Sequence, residues 1–537
     1  MGRYSSQNKH SPFLNRGKIF KPTEETSLYI LTFFLFLLIF LTTMNGYFDI
    51  PDTMPSFKTA KSIIEKGRLD LEIAENIESK LISDVTPGPA SFTYFRAKDG
   101  KIYSKYGLAV AAYMIPFVLV GKFLYLIAGH TVGASQEFFE KFAVSSMSCF
   151  PMALACVFLV KLARKTHFSF TVAFILAVFF GLGTMAWYYA DSTFSEGLLT
   201  FELLGAVYFM LKAYETKRRT DMAISALFVG MLILTKIATL IVLPILFIYI
   251  LYVGIKDKNK ELLITFFAIV AFFLGLLAWL NFIRFGNILE TGYGRELSVK
   301  MSQKPLILAI YRYILSPHKG LFVYNPLLIA SLFALHQYYK KQRNLFYITL
   351  GMFTIYLIAF SVSSFRLFVS WGPRYLIILI PYLVLPIGYL LEKKKNMTRV
   401  LIALLFLLSF SISLTSVIVP HSEFRYIKIL LQKTPIKYPP PDINGAFALL
   451  KNKLGKKDEI YTGRDFGITL PEKSDITMDL YKYSEFRGFN LWYLYLERKT
   501  GYRYAKIFPF ISLPLALLAL IKICALIRRL DKNLLPV

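Results

Sequence analysis

At 537 residues, 55% hydrophobic and only 18% charged, with 49 Phe and 34 Tyr, the chain is too apolar for a soluble domain and reads as a polytopic membrane protein. Its net charge of +28 is not a nucleic-acid signature, because Lys and Arg sit in short clusters between apolar segments, where membrane topology accounts for them. Cys149, Cys156 and Cys524 lie in apolar segments at unrelated places, which excludes a disulfide framework and a Cys-x-x-Cys metal site.

A polar basic leader, 1–27, precedes the first apolar run, 28–45, which lacks a small-residue cleavage pattern and is expected to stay as a signal anchor. Apolar stretches approaching the roughly 20 residues a bilayer needs follow at 107–128, 138–163, 169–189, 195–214, 222–254, 262–283, 321–338, 345–362, 374–391, 398–419 and 504–527. The run 222–254 is too long for one helix and is expected to fold back at Thr235-Lys236, giving two helices, the first short. A lysine at a turn reaches water, whereas one at the bilayer centre costs several kcal/mol.

Basic clusters in the leader and at Arg164-Lys165, Lys217–Arg219, Lys256–Lys260, Lys340–Arg343, Lys393–Lys395 and Arg528-Arg529 should share the cytoplasmic side. Three apolar runs separate the leader from Arg164, an odd number, so one of them cannot cross. The run 107–128 carries Pro116 and Lys122 and is assigned to the outer interface. An all-α protein with about 12 transmembrane helices results. Its outer face comprises 46–137, 190–194, the turn at Lys236, 284–320, 363–373 and 420–503, the last a small extracytoplasmic soluble domain before the final helix and tail, 504–537. The loop 284–320 is more basic than acidic, against the positive-inside tendency, so either the topology differs there or its cations serve something anionic.

Charged residues converge on that face. Asp49 and Asp52 stand where the first run ends, ahead of an amphipathic stretch in which Phe57, Ala60, Ile63 and Ile64 share a face, Pro55 fits the first turn and Gly67 the end. The plain role for an aspartate there is a helix cap. The same face also receives Lys105 in "YSKYG", Asp191 and Glu196 in "ADSTFSEG", Lys236 in "LTKIA", Arg284 and Tyr293 in "NFIRFGNILETGYG", His318 in "SPHKG" and Arg374 in "SWGPRY". Carboxylates beside Lys and Arg suit removal of a proton from an acceptor hydroxyl while a phosphate leaving group is neutralised. Outer-face carboxylates also offer oxygen ligands to a divalent cation, so metal dependence stays open. Trp187, Tyr188 and Trp371 are expected in an interfacial belt.

The ordered set resembles the GT-C glycosyltransferases, membrane enzymes that use polyprenyl-phosphate sugars, and especially the branch of aminoarabinose transferases and protein O-mannosyltransferases. "PDTMPSFKTAKSIIEKG" is similar to that branch's Asp, juxtamembrane helix and closing Gly, with Thr53 where a Glu is usual; "YSKYG", "YADSTFSEG", "LILTKIATL", "GLFVYNP" and "SWGPRYLIILIPYL" follow in order through most of 28–395. Beyond about 420 nothing matches. The resemblance implies a GT-C transmembrane catalytic domain over 28–419, with Asp52 as general base and Asp49 as its rival. It implies Lys105, Lys236 and Arg374 as donor-phosphate ligands, and Asp191, Glu196, Arg284, Tyr293 and His318 as substrate-binding candidates. The implied partners are a polyprenyl-phosphate sugar donor, a glycan, lipid or protein acceptor and membrane lipids, in the cytoplasmic membrane with the site facing outward. A lipid-linked sugar transporter or an O-antigen ligase or polymerase is the competing reading.

Overall fold

The computed structural model describes residues 22–48, 50, 52–72, 88–89, 93–293, 305–362, 370–393, 396–419, 442–454 and 489–533. Among these residues the only sheet is a small antiparallel one, β1 (Gly88–Pro89), β2 (Tyr94–Arg96) and β3 (Ile102–Ser104), with Phe95 opposite Tyr103. The described helices, taken in order and leaving short pieces unlabelled, are α1 (Pro22–Thr43), α2 (Thr53–Lys66), α3 (Leu108–Val132), α4 (Gln136–Ser145), α5 (Cys149–Lys165), α6 (Phe170–Leu182), α7 (Ala186–Asp191), α8 (Glu196–Thr216), α9 (Arg219–Thr235), α10 (Leu243–Lys256), α11 (Lys260–Phe285), α12 (Leu306–Ile314), α13 (Arg343–Val362), α14 (Asn396–Ile418), α15 (Asp442–Leu454), α16 (Trp492–Thr500) and α17 (Phe508–Lys532). Nine helical stretches among the described residues are long and apolar enough to cross a bilayer, and Phe170–Leu182 and Leu243–Lys256 are shorter apolar helices. The chain is a multi-pass helical membrane protein.

Several apolar runs that hydropathy presents as single helices are broken, each for a local reason. In 138–163 the hydroxyls of Ser145 and Ser146 return to the Phe142 and Ala143 carbonyls, both at 2.7 Å, and α4 gives way to α5. Such side-chain bonds compete with the helical ladder. In 169–189 the break between α6 and α7 falls at Gly183–Met185, and 321–338 becomes short pieces around Asn325-Pro326. The run 222–254 divides at Lys236, whose backbone is extended (φ −156°, ψ 119°), as its charge requires. The first of its two helices is not the short one: α9 has 17 residues and α10 has 14.

The packed centre lies among α1, α5, α6, α7, α8 and the segment 370–385, where Phe36, Phe40, Phe180, Tyr189, Trp371 and Tyr382 are almost fully buried. Trp187, Tyr188 and Trp371 belong to this core rather than to an interfacial belt: each is at most 4% exposed, and the Trp187 indole donates to Thr43 Oγ1 at 3.0 Å. Most of 420–503 lies outside the described residues. Of its described parts, α15 packs against α14 through Ala446, and α16 is pinned to the end of α1, Trp492 donating from its backbone N–H to the Met44 carbonyl and from Nε1 to the Leu41 carbonyl.

Candidate active site

The amphipathic face of α2 fixes where Asp52 stands. Phe57 and Ala60 are buried against Val110, Met114 and Val118 of α3, and Gly67 closes the helix in the left-handed conformation (φ 64°) that costs glycine nothing. At the other end Thr53 Oγ1 lies 2.7 Å from Thr193 Oγ1, tying α2 to the loop before α8. Asp52 occupies the cap position of α2, but its side chain makes no capping bond. The carboxylate turns instead to Arg374, whose Nη1 is 3.6 Å from Oδ2.

Arg374 is placed by a wedge of aromatic residues. Tyr189 donates its hydroxyl to the Trp371 carbonyl at 2.8 Å, and the Tyr324 ring meets Trp371 edge-on at 5.1 Å. Between them Gly372 adopts φ +59°, where an added Cβ would press on the Met185 sulfur and the Tyr324 ring at 3.1 Å, so the turn needs glycine. The 3₁₀ segment Arg374–Leu379 starts directly after Pro373.

From there the guanidinium reaches a second carboxylate. Arg374 Nε is 3.2 Å from Glu196 Oε1, and the same oxygen accepts from Lys236 Nζ at 2.7 Å. Glu196 opens α8 and is almost fully buried, so its charge depends on these two cations. Aromatic faces complete the surround: the Arg374 guanidinium lies 4.5 Å from the Phe194 ring and 5.0 Å from Tyr375, Lys236 Nζ is 5.2 Å from the Tyr375 ring, and Tyr375 stacks on Phe360 at 4.2 Å.

Lys105 enters through its neighbour. Burial together with the nearby Asp52 charge holds the Tyr106 phenol well above its ordinary value. Lys105 is buried, with Nζ 4.7 Å from the Tyr293 ring. This strand end is gripped from two sides. A Cβ on Gly107 would collide with the Leu234 and Thr235 carbonyl oxygens, so "YSKYG" and "LTKIA" touch backbone to backbone; Gly292, at φ +77°, lies against Lys105 in the same way. Arg284, at the end of α11, donates from Nη1 to the Tyr106 carbonyl at 2.9 Å and the Ser104 carbonyl at 3.3 Å, and from Nη2 to Asn281 Oδ1 at 3.2 Å.

Two cations and two carboxylates from four separated segments thus form one continuous site, Asp52, Glu196, Lys236 and Arg374, with Lys105 beside the Tyr106 ring, its Nζ 5.7 Å from the centroid. Arg284 stands behind it, 3% exposed, with its donors on protein oxygens rather than turned outward toward a substrate. Asp191 is buried at the end of α7 beside Cys149, and His318 is on an exposed turn whose carbonyl accepts from the Tyr324 hydroxyl at 2.8 Å. Asp49 lies outside the described residues. Sequence reasoning missed Tyr106, Thr193, Phe194 and Tyr375; each is within two residues of a selected Lys, Glu, Asp or Arg, and that adjacency was the available signal. Among the described residues no three of His, Cys, Asp and Glu come together as a metal site.

No family model matches the chain, and no curated protein matches it. Among solved structures it is similar to ArnT from Cupriavidus metallidurans, bound to undecaprenyl phosphate, at 14% identity and TM-score 0.46, covering 94% of this chain and 78% of that one. The apo form of the same protein gives TM-score 0.46 at 14% identity, over 95% of this chain and 76% of that one. The archaeal oligosaccharyltransferase AglB from Archaeoglobus fulgidus, in complex with an inhibitory peptide and a dolichol-phosphate, follows at 12% identity and TM-score 0.43, over 79% of this chain and 60% of that one.

Proposed function

We propose that the chain is a GT-C-type glycosyltransferase that moves a sugar from a polyprenyl-phosphate donor to a cell-envelope acceptor, a lipid, polysaccharide or protein, on the outer face of the cytoplasmic membrane. The observation that carries this reading is a carboxylate, Asp52, 3.6 Å from an arginine that shares Glu196 with Lys236, all at helix ends. A carboxylate and a set of cations in one low-dielectric site have complementary tasks in such a transfer.

Asp52 takes the proton of the acceptor hydroxyl or amine as that atom attacks the anomeric carbon. The carbon–oxygen bond to the phosphate breaks with its electron pair going to the leaving phosphate, and attack from the opposite side inverts the centre. Arg374, whose planar fork suits two phosphate oxygens, neutralises the charge that develops, with Lys236 and Lys105 beside it. Glu196 keeps Arg374 and Lys236 together. Asp49 is the second candidate for the base. A divalent cation would draw on the same carboxylates.

The test is release of polyprenyl phosphate from a polyprenyl-phosphate sugar by purified protein. A general base contributes about 10²–10⁴-fold, so Asp52→Asn should lose about that much kcat with an unchanged circular-dichroism spectrum. Full turnover by Asp52→Asn together with an inactive Asp49→Asn would move the base to Asp49. Substrate movement without bond cleavage would replace the transferase by a transporter.

A further inference from the structure

Tyr313 is a buried residue that the mechanism above leaves unused. It lies on α12, one of whose faces, Leu306, Ile307, Leu308 and Tyr311, is exposed and apolar, while Ala309 and Tyr313 turn inward. Its ring is 3% exposed and packs in the same core as Phe360, Trp371 and Leu376, the residues that hold the Arg374–Tyr375 corner. Yet among the described residues its hydroxyl has no hydrogen-bond partner. Helix α12 packs on α13, which packs in turn on the segment carrying Arg374 and Tyr375, and the charges of these two residues act on the Tyr313 phenol.

A buried hydroxyl without a partner is destabilising, and phenylalanine would fill the same space without that penalty. A tyrosine is explained at this position if its donor meets an acceptor that arrives with a ligand. Neighbouring donors narrow the ligand's chemistry. Arg374 donates from Nη2 to the Tyr375 hydroxyl at 3.2 Å, and Lys236 stands over the Tyr375 ring, so the region already concentrates positive charge and N–H donors. An incoming acceptor there is an oxyanion. We propose that Tyr313 is a ligand-binding residue whose hydroxyl donates to a phosphate oxygen of the lipid-linked donor held by Arg374. The inference rests on the polyprenyl-phosphate reading above.

Its test is direct binding of undecaprenyl phosphate, without sugar or acceptor, to the purified full-length chain in nanodiscs, together with thermal unfolding of the ligand-free protein. Tyr313→Phe should bind at least about fivefold more weakly, the loss expected when one hydrogen bond to a charged group is removed. Its ligand-free melting temperature should equal or exceed that of the unmodified chain, because the deleted hydroxyl had no partner to lose. Tyr311→Phe, altered on the exposed face of the same helix, should bind as the unmodified chain does. Equal affinity in Tyr313→Phe and the unmodified chain would overturn the proposal while leaving the polyprenyl-phosphate reading standing. A lowered melting temperature in Tyr313→Phe would overturn it too, by showing a structural hydroxyl. If the unmodified chain binds no undecaprenyl phosphate, the broader reading fails and this inference with it.

Discussion

Gly107 shows how much of the site is decided by the absence of a side chain. It has an ordinary φ of −61°, so no conformational strain demands glycine there; what demands it is the Leu234–Thr235 backbone packed against its Cα. Gly107→Ala must push apart α9 and the segment carrying Lys105 and Tyr106. Overpacking of this kind typically costs about 1–3 kcal/mol. The expected outcome is a lowered melting temperature together with a loss of kcat/KM larger than the unfolded fraction explains, read by unfolding and turnover on the same preparation. Unchanged turnover per folded molecule would mean that the contact only packs. At this scale the sequence was informative about charge and silent about contact. Lys236 and Arg374 were legible because one interrupts an apolar run and the other opens one, where a charge needs a reason. Tyr106 and Tyr375 were not, because adjacency to a selected cation was their only signal and a tyrosine has no pattern of its own until the fold places its ring. Asp52 looked like a helix cap, and only the direction of its side chain separates a cap from a ligand of Arg374.

Helix ends in the structure are often completed by residues far away in the chain. The first N–H groups of α6 have no carbonyl partners within the helix. Asp531 near the end of α17 supplies acceptors, Oδ1 taking the Phe170 N–H at 2.8 Å and Oδ2 the Thr171 N–H at 3.0 Å and the Thr171 hydroxyl at 2.6 Å, while Glu392 Oε1 takes the Ser169 N–H at 3.0 Å. Such capping contributes about 0.5–2 kcal/mol. Asp531→Ala should therefore lower the melting temperature measurably and leave kcat per folded molecule unchanged, because this latch touches none of Asp52, Glu196, Lys236 or Arg374. A fall in kcat without a fall in stability would show that α17 does more than brace. Apolar runs located nearly every long helix, but hydropathy cannot see the serine hydroxyls that end α4 or the turn between α6 and α7. The three strands at 88–104 escaped notice because two or three residues are too few to display alternation.

The orientation of the whole molecule turns on α3, which is long and apolar enough to cross and would then set the leader and Arg164 on opposite sides. Its neighbours argue against crossing. Lys122, near its middle, pairs with Glu65 of α2 at 2.8 Å, and Lys61 of α2 pairs with Glu140 of α4, also at 2.8 Å. Were α3 transmembrane, these four charges would stand well inside the hydrocarbon, where each is costly; along the interface they reach water. Were α3 to lie flat, an even crossing count would return and the basic clusters would share the cytoplasm, which would set Asp52 and Arg374 outward as the proposed transfer requires. The same arrangement would put Arg312, exposed on α12, outside, and this provides the test. A cysteine at position 312 should react with a membrane-impermeant maleimide in intact cells, and one at Lys256, on the exposed end of α10, only after permeabilisation. Native thiols do not confuse the assay: Cys149 and Cys156 are buried, and Cys524, exposed on the apolar α17, can be replaced by serine. The opposite labelling pattern would put Asp52 and Arg374 on the cytoplasmic side and refute transfer at the outer face, however complete the cluster of charges around them.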